Sequence, residues 1–236
     1  MRLTEERKAD HKKAGRSLIL IGLGFAFLEV LKQAYLLRNV FGGGYNVWYL
    51  PFQLCSMPIY LCPPAGVMCL LDDRLSERGR GIRSAMLTFL EDFGFLGGLM
   101  ALIVRDGFTF ADHPLLTAHG WIWHLGMIAL SIRLSESGLT DQSIKGWLKT
   151  LPLFLILASC AEMINVAFHG MGDADMFYIS PYHLSSQPVF RDLDAAVGRP
   201  LGILLYLAAV MFGAFLSHIF FLAAKAIRSG GSRALK

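Results

Sequence analysis

The chain has 236 residues, of which 54% are hydrophobic and 17% are charged, with a formal net charge of +4 and a mean hydropathy of +0.49. Soluble domains carry roughly 25% charged residues, and disordered chains combine low hydrophobicity with high net charge. Both classes are therefore excluded. The apolar residues occur in blocks of about 20, which is the length that spans a bilayer core. The composition predicts an integral membrane protein, and no motif that reads nucleic acid is present.

Six apolar segments are predicted to cross the membrane as helices, so the expected fold is an all-α, polytopic membrane helix bundle. A basic tail of residues 1–16 precedes a transmembrane domain of residues 17–224, and a second basic tail covers residues 225–236. No small-residue cleavage site follows the first span, which is therefore not read as a signal peptide. The predicted spans are Ser17–Leu37, Val47–Leu71, Ser84–Val104, Leu115–Leu134, Trp147–Phe168 and Pro200–Ala224.

The positions of lysine and arginine predict the orientation of these spans. Seventeen of the 22 basic residues lie in or beside the two tails, the second loop and the fourth loop, and four lie in the other three loops. The bias alternates with each crossing. The positive-inside rule therefore places both termini in the cytoplasm of a multi-pass protein, and we expect it in the cell membrane.

Acidic residues inside the predicted spans are informative, because each costs about 2.5–3.5 kcal/mol near the centre of a membrane helix. Such residues are expected to face the bundle interior or a wet cavity. Glu29 has Lys32 three residues later, the spacing of a same-face ion pair. Glu91 and Asp92 are adjacent and cannot point the same way, so one of them is expected to approach the membrane interface.

Helix numbering predicts a band of polar groups in the outer half of the membrane. At 1.5 Å per residue, the deeper members lie roughly 9–14 Å from the outer ends of their helices. This convergence predicts a cavity that opens toward the outer leaflet and is capped by the long fifth loop. The deeper members are Glu29, Cys55, His124 and Glu162, and the shallower ones include Gln53, His119 and Asn165.

The predicted second span contains four prolines, at positions 51, 58, 63 and 64. Each proline removes a backbone donor and favours a kink, so this helix is expected to be broken around Cys55. A cysteine beside a suitable base becomes a nucleophile. His124 is the first candidate for that base and His119 the second.

Glu162 or Asn165 is a candidate to orient the imidazole of that base. The alternative is a core histidine beside a packed, unreactive thiol. The other cysteines are predicted to be inert small hydrophobes. No cofactor motif and no metal site are predicted, because the chain lacks a Cys-x-x-Cys pair.

Several short motifs occur in the order found in one known family. Residues 50–55 read Leu-Pro-Phe-Gln-Leu-Cys, residues 123–126 read Trp-His-Leu-Gly, and a glycine-containing segment ends at Asp106. Asn165 is followed by Asp-Met-Phe-Tyr at residues 175–178 and by prolines ahead of the last span. From about residue 17 onward, this order resembles the YwaF-like bacterial membrane proteins, the family that includes animal transmembrane protein 164.

The resemblance implies an acyltransferase activity on phospholipids, with a cysteine and a histidine as the essential pair. The family histidine falls on His124. The family cysteine aligns with Phe52, and Cys55 lies three residues later, on the same face if the segment is helical. Gln53 replaces a histidine that is usual in the family, and the chain has one predicted helix fewer than the usual seven. The implied partners are membrane lipids, with a lysophospholipid or an acyl donor among them.

On this interpretation, His124 deprotonates Cys55, the thiolate attacks an acyl ester, and a lysolipid hydroxyl resolves the thioester. The oxyanion donor is Gln53, Asn165 or a backbone N–H freed by the prolines. A small transporter or a lipid- or ligand-binding membrane protein is the alternative, since a broken helix and buried acids also line substrate paths. A structural subunit with a partner helix in its cavity is a third interpretation.

Overall fold

The computed structural model describes the backbone of residues 5–42 and 44–234, and within these ranges it leaves the side chains of residues 6–8, 106 and 229–234 undescribed. Residues 1–4 and 235–236 of the two predicted tails therefore lie outside the described part of the chain. The side chain of Asp106, which belongs to one of the family-like motifs, also lies outside it.

The described residues form seven α-helices and no β-strand, which confirms the all-α prediction. Five of these helices are long and apolar enough to cross a membrane, namely α1, α3, α4, α5 and α7. The other two, α2 and α6, have 14 and eight residues. The helices are α1 (Glu5–Asn39), α2 (Met57–Leu70), α3 (Glu77–Ile103), α4 (Pro114–Ser137), α5 (Ile144–Phe168), α6 (Phe190–Val197) and α7 (Arg199–Ala234).

The second predicted span is broken around Cys55, as its prolines predict. Only Met57–Leu70 is α-helical, and the preceding residues form two short 3-10 turns at Val47–Tyr49 and Leu54–Ser56. Proline fixes φ and lacks an N–H, so a proline in the first turn of a helix is tolerated where one further inside is not. Pro58 occupies that first turn. The depth predicted for Cys55 from helical rise therefore does not hold, because Cys55 lies in a 3-10 turn.

Helix α2 packs antiparallel against α1 through small residues. A Cβ atom added to Gly15 would lie 2.7 Å from the carbonyl oxygen of Gly66, and one added to Gly22 would lie 2.7 Å from the ring of Pro63. Because the partner number falls along α2 as the residue number rises along α1, the two helices run in opposite directions. Close approach of small residues is a common way to pack helices in membranes.

A second close contact joins α3 to α4. A Cβ atom added to Gly98 would lie 2.9 Å from the backbone oxygen of His124, and one added to Gly94 would lie 3.0 Å from the hydroxyl of Ser131. The Ser131 hydroxyl in turn donates to the carbonyl oxygen of Leu90 at 3.0 Å. These contacts fix the position along α4 at which His124 meets α3.

The described parts of the predicted tails are helical. α1 begins at Glu5 and α7 continues to Ala234, so most of residues 1–16 and 225–236 extend the first and last helices. The long fifth loop also contains structure, because α6 lies within it. Hydropathy detects only apolar helical segments, so it does not indicate the polar ends of α1 and α7 or the short helix α6.

Glu91 and Asp92 are both fully buried, as the cost of an acid in a membrane helix predicts. Each has its own polar partner. Gln142 donates to Glu91 at 2.6 Å, and His218 lies 2.9 Å from Asp92. His218, for which the sequence indicated no role, is therefore part of the buried polar structure.

Substitution of Gly66 by alanine tests the packing of α1 against α2. The added Cβ would lie 2.6 Å from the Gly15 carbonyl oxygen and 2.8 Å from the side chain of Ile19. The helices must then separate, and we expect Gly66→Ala to cost about 1–3 kcal/mol of stability. The measurement is thermal unfolding of the purified protein in detergent.

Gly24→Ala is the matched control on α1. No heavy atom lies within 4 Å of a Cβ added at Gly24, and alanine is favoured over glycine in a helix by about 1 kcal/mol. This variant is expected to melt at or above the wild-type temperature. Equal melting of Gly66→Ala and the wild type would contradict the close contact.

Candidate functional site

One cavity of about 240 Å³ lies at the end of the bundle where α1 ends and α2 begins. The 3-10 turns, α3, α4, the start of α7 and the loop after α5 complete its wall. Most of the lining is apolar and aromatic. The predicted site residues that line it are Glu29, Gln53, Cys55, His119 and His124.

Cys55 is held by its backbone. The indole N–H of Trp123 donates to the Cys55 carbonyl oxygen at 3.0 Å, so α4 positions the turn that carries the thiol. Phe52 does not share a helix face with Cys55, because residue 52 lies outside any helix. Its ring packs instead 6.2 Å from that of Phe177 and 5.5 Å from that of Tyr60. The structure thus places Cys55, and not Phe52, on the cavity wall.

The tautomer of His124 follows from its hydrogen bond. Nδ1 lies 2.8 Å from the carbonyl oxygen of Gly120, and a carbonyl oxygen only accepts, so Nδ1 carries the proton. In the neutral ring, Nε2 then bears the free lone pair that a general base requires. The ring also packs 4.9 Å from that of Phe108. A backbone carbonyl therefore orients this imidazole.

Glu162 and Asn165 do not orient His124, contrary to the expectation from the sequence. Asn165 is fully buried, and its amide accepts from the Met176 N–H at 2.5 Å and donates to the Met176 carbonyl at 3.1 Å. The Asn165 amide also donates to Glu162 at 3.3 Å. Neither side chain lines the cavity. Both lie on the face of α5 that holds the loop after it, and helix numbering does not indicate which face meets which neighbour.

His119 is the second imidazole on the cavity wall, one helical turn before His124. Its Nε2 atom is buried and has no hydrogen-bond partner. The ring lies 5.2 Å from that of Trp123 at an angle of 32°. Two imidazoles therefore line the cavity, and the tautomer of His124 leaves its Nε2 lone pair free.

Glu29 and Lys32 form the ion pair that their spacing predicts, with a separation of 2.7 Å. Gln33 donates to the same Glu29 oxygen at 2.7 Å and also to the carbonyl oxygen of Tyr49 at 2.7 Å. The charge on Glu29 is thus balanced. Lys32 brings an ammonium group to the cavity wall.

Gln53 uses one N–H and the oxygen of its amide to bind the loop after α5, so one N–H remains for a bound molecule. Its Nε2 donates to the Asp175 carbonyl at 2.8 Å, and its Oε1 accepts from the Phe177 N–H at 2.8 Å. Gln53 thereby holds the segment of residues 175–178, which we call the roof, beside the cavity. Tyr178 of the roof lines the cavity.

The roof has a strained backbone that a buried arginine supports. Phe177 and Tyr178 have φ values of 55° and 58°, which non-glycine residues rarely adopt. Arg199 donates to the carbonyl oxygens of Tyr178 and Ser180 at 2.9 and 2.7 Å, and it pairs with Asp194 at 2.6 Å. These bonds hold the strained residues in place.

Burial raises the pKa values of two roof residues. The Asp175 carboxyl accepts from the Ser180 N–H at 2.9 Å and lies 3.8 Å from Arg199, but burial outweighs both effects and raises its pKa to about 6. Burial likewise raises the pKa of the Tyr178 phenol. The phenol therefore stays neutral and can donate a hydrogen bond into the cavity.

Within the described residues, no group of three His, Cys, Asp or Glu side chains is arranged to hold a metal ion. The chemistry available at the cavity is that of a thiol, two imidazoles, an ion pair and phenols. Sequence reasoning missed the structural roles of Trp123, Tyr178 and Arg199. A tryptophan or an arginine inside or beside a span must find polar partners. That requirement could have identified Trp123 and Arg199 from the sequence.

The fold defines a multi-pass integral membrane protein whose buried polar groups converge on a cavity. The chain belongs to the TMEM164 family, whose model matches residues 3–223. This match confirms the family resemblance. No curated protein and no solved structure matches the chain.

The raised pKa of Asp175 predicts a pH dependence of stability. In unfolded chains an aspartate titrates near 3.9, so the folded protein binds this proton more tightly. Its stabilising effect is fully present below about pH 4 and is lost as the pH rises through about 6, which amounts to roughly 3 kcal/mol at most. Asp175→Asn keeps an acceptor for Ser180 but does not titrate. Its melting temperature should therefore rise relative to that of the wild type as the pH increases from 4 to 7.

His183, Arg199 and Asp194 also act on the Asp175 carboxyl. His183 is exposed and its charge acts on the same carboxyl, so both proteins should be compared in a His183→Gln background. Parallel melting curves across this pH range would show that Asp175 does not titrate as its burial requires.

Proposed function

We propose that this protein transfers acyl chains between phospholipids, with Cys55 as the nucleophile and His124 as the general base. The observation that carries the proposal is the convergence of Cys55, His124 and His119 on one largely apolar cavity. The tautomer of His124 supports it, because Nε2 bears the lone pair. A lipid ester fits an apolar wall that carries a few polar groups.

The reaction proceeds in two transfers. His124 Nε2 takes the proton of the Cys55 thiol, the thiolate attacks the carbonyl carbon of an acyl ester, and the ester C–O bond breaks. The departing lysolipid oxygen takes the proton from His124. A second lysolipid hydroxyl then loses its proton to His124 and attacks the thioester, and the thiol is reprotonated as it leaves.

Each tetrahedral intermediate needs a donor to its oxyanion. The first N–H groups of a helical turn have no partner within it, and Cys55 lies in the turn Leu54–Ser56. We assign the oxyanion donor to the backbone N–H of Cys55. The second N–H of the Gln53 amide, whose other N–H binds Asp175, is the alternative donor.

The size of the cavity limits what enters it. Pockets for drug-sized ligands measure roughly 300–1,000 Å³, and this cavity measures about 240 Å³. A complete phospholipid does not fit. The ester group and the adjoining part of one acyl chain occupy the cavity, while the rest of the lipid remains in the membrane.

We also propose six membrane crossings, with both termini in the cytoplasm of a protein of the cell membrane. Helix α2 and the turns before it supply the sixth crossing, because α2 runs antiparallel to α1 and returns the chain to the end where α1 begins. The transmembrane domain is then residues 17–224, and the cavity lies in the outer half of the bilayer. The alternation of basic loops supports this topology.

Acyl exchange between labelled lysophospholipid and phospholipid in vesicles tests the mechanism. Cys55→Ala and His124→Ala should each reduce exchange by at least about a hundredfold, because a nucleophile and its base act as one unit. The wild type should also form a labelled acyl-protein that hydroxylamine cleaves. Cys160→Ala is the matched control, since Cys160 is a free cysteine outside the cavity wall. Unchanged exchange in both site variants would remove the covalent mechanism.

A non-covalent transporter or lipid-binding protein is the alternative. The Glu29–Lys32 pair on the cavity wall favours it, because an ion pair of this kind can receive a charged headgroup without any reaction. Labelling with a lipophilic maleimide separates the two functions. Faster reaction at Cys55 than at Cys62 and Cys69 supports the enzyme, and equal inertness of all three supports the binding protein.

A further inference from the structure

Away from the cavity, the bundle contains a second cluster of buried polar groups, formed by Glu91 and Asp92 on α3 and His218 on α7. All three side chains have no exposed surface. Residues 138–143, which connect α4 to α5, fold against them. In this connection, Gln142 donates to Glu91 Oε1 at 2.6 Å, and it is itself buried. The acyl-transfer proposal uses none of these groups.

The partners of His218 fix how many protons it shares. Nε2 lies 3.1 Å from the Ser143 carbonyl oxygen, which can only accept, so Nε2 carries a proton. Nδ1 lies 2.9 Å from Asp92 Oδ2, and this contact is a hydrogen bond only if one proton lies between the two atoms. Whichever atom carries that proton, the Asp92–His218 pair has no net charge.

Glu91 has no comparable partner. Among the residues that the structure describes, no lysine or arginine pairs with its carboxylate, and the imidazole of His218 is committed to Asp92. Its Oε2 atom is buried without a hydrogen bond. An isolated buried carboxylate is too costly to remain charged, and such a group takes up a proton instead.

Neighbouring oxygens indicate where that proton points. Thr140 and Gln142 are more than nine-tenths buried, and Gln142 Oε1 and Asp92 Oδ1 lack partners. Thr140, Gln142 and Ser135 direct hydrogen bonds at the Glu91 carboxyl, but none of them carries a charge that could balance a carboxylate. A proton on Glu91 Oε2 converts an unpaired acceptor into a donor, and it thereby supplies one of these oxygens with a hydrogen bond.

We propose that Glu91 is a proton-binding site that holds one proton from water at neutral pH, and that this proton allows residues 138–143 to pack into the bundle. The Asp92–His218 pair lies beside it as a neutral companion. Loss of the proton would leave an unpaired charge against Gln142 and Thr140 and would loosen the connection between α4 and α5.

The other charged groups on the surrounding elements are paired with one another or exposed. Asp141 pairs with Lys149 at 3.0 Å, and Glu136 lies 3.6 Å from Arg228, both in exposed positions. None of them neutralises Glu91. Further exposed basic residues on these elements are Arg133, Lys145 and Lys225.

Infrared spectroscopy of the full-length protein in lipid vesicles tests the proposal directly, because the carbonyl band of a protonated carboxylic acid is separate from that of a carboxylate. We expect such a band in the wild type at pH 7 and its loss in Glu91→Gln. The Glu136→Gln variant, which removes an exposed acid, should keep it. Absence of the band in the wild type would overturn the proposal even if Glu91→Gln does not fold.

Thermal unfolding between pH 6.5 and 7.5 provides the second measurement, made in an Asp175→Asn background so that this carboxyl does not contribute. The folded wild type binds one proton more than the unfolded chain, so its stability falls as the pH rises. The expected loss is about 3–5 °C per pH unit, and it should disappear in Glu91→Gln. Equal slopes in both proteins would contradict the proposal. The proposal would also be overturned if the melting temperature rises with the concentration of sodium chloride but not with that of choline chloride. That result would show that a metal cation, and not a proton, satisfies the unpaired oxygens.

Discussion

The site depends on how the polar backbone groups of residues 47–56, the ten residues before α2 that form no α-helix, are satisfied. Lipid offers such groups no partners, so the protein must supply them. Gln33 bonds the Tyr49 carbonyl, and Trp123 bonds the Cys55 carbonyl. Gln53 in turn bonds the roof. The same bonds that make an irregular backbone tolerable beside membrane-spanning helices also fix the position of the thiol.

Hydropathy predicted the long helices because an apolar run of about 20 residues has few alternatives to a membrane helix. It misjudged two features for physical reasons. The ends of α1 and α7 extend beyond the apolar runs, because polar residues continue a helix as readily as apolar ones. The second apolar run forms only a 14-residue helix, because the prolines restrict the backbone in a way that an average of side-chain hydropathy does not register.

Residue types and approximate depth were enough to select Cys55, His119 and His124 for the cavity wall. They were not enough for Glu162 and Asn165, because depth along a helix does not reveal which neighbour its face meets. The partner of Asp92 was missed for a related reason. His218 is 126 positions away in the sequence, and nothing local to either residue indicates that α7 packs beside α3 at that level.

The two amide bonds of Gln53 have a mechanical consequence. Gln53 lies two residues before Cys55 and bonds residues 175 and 177, so displacing those residues would also pull on the turn that carries the thiol. For the proposed lipid substrate, entry from the membrane between two helices would leave these bonds intact, whereas entry past residues 175–177 would break them.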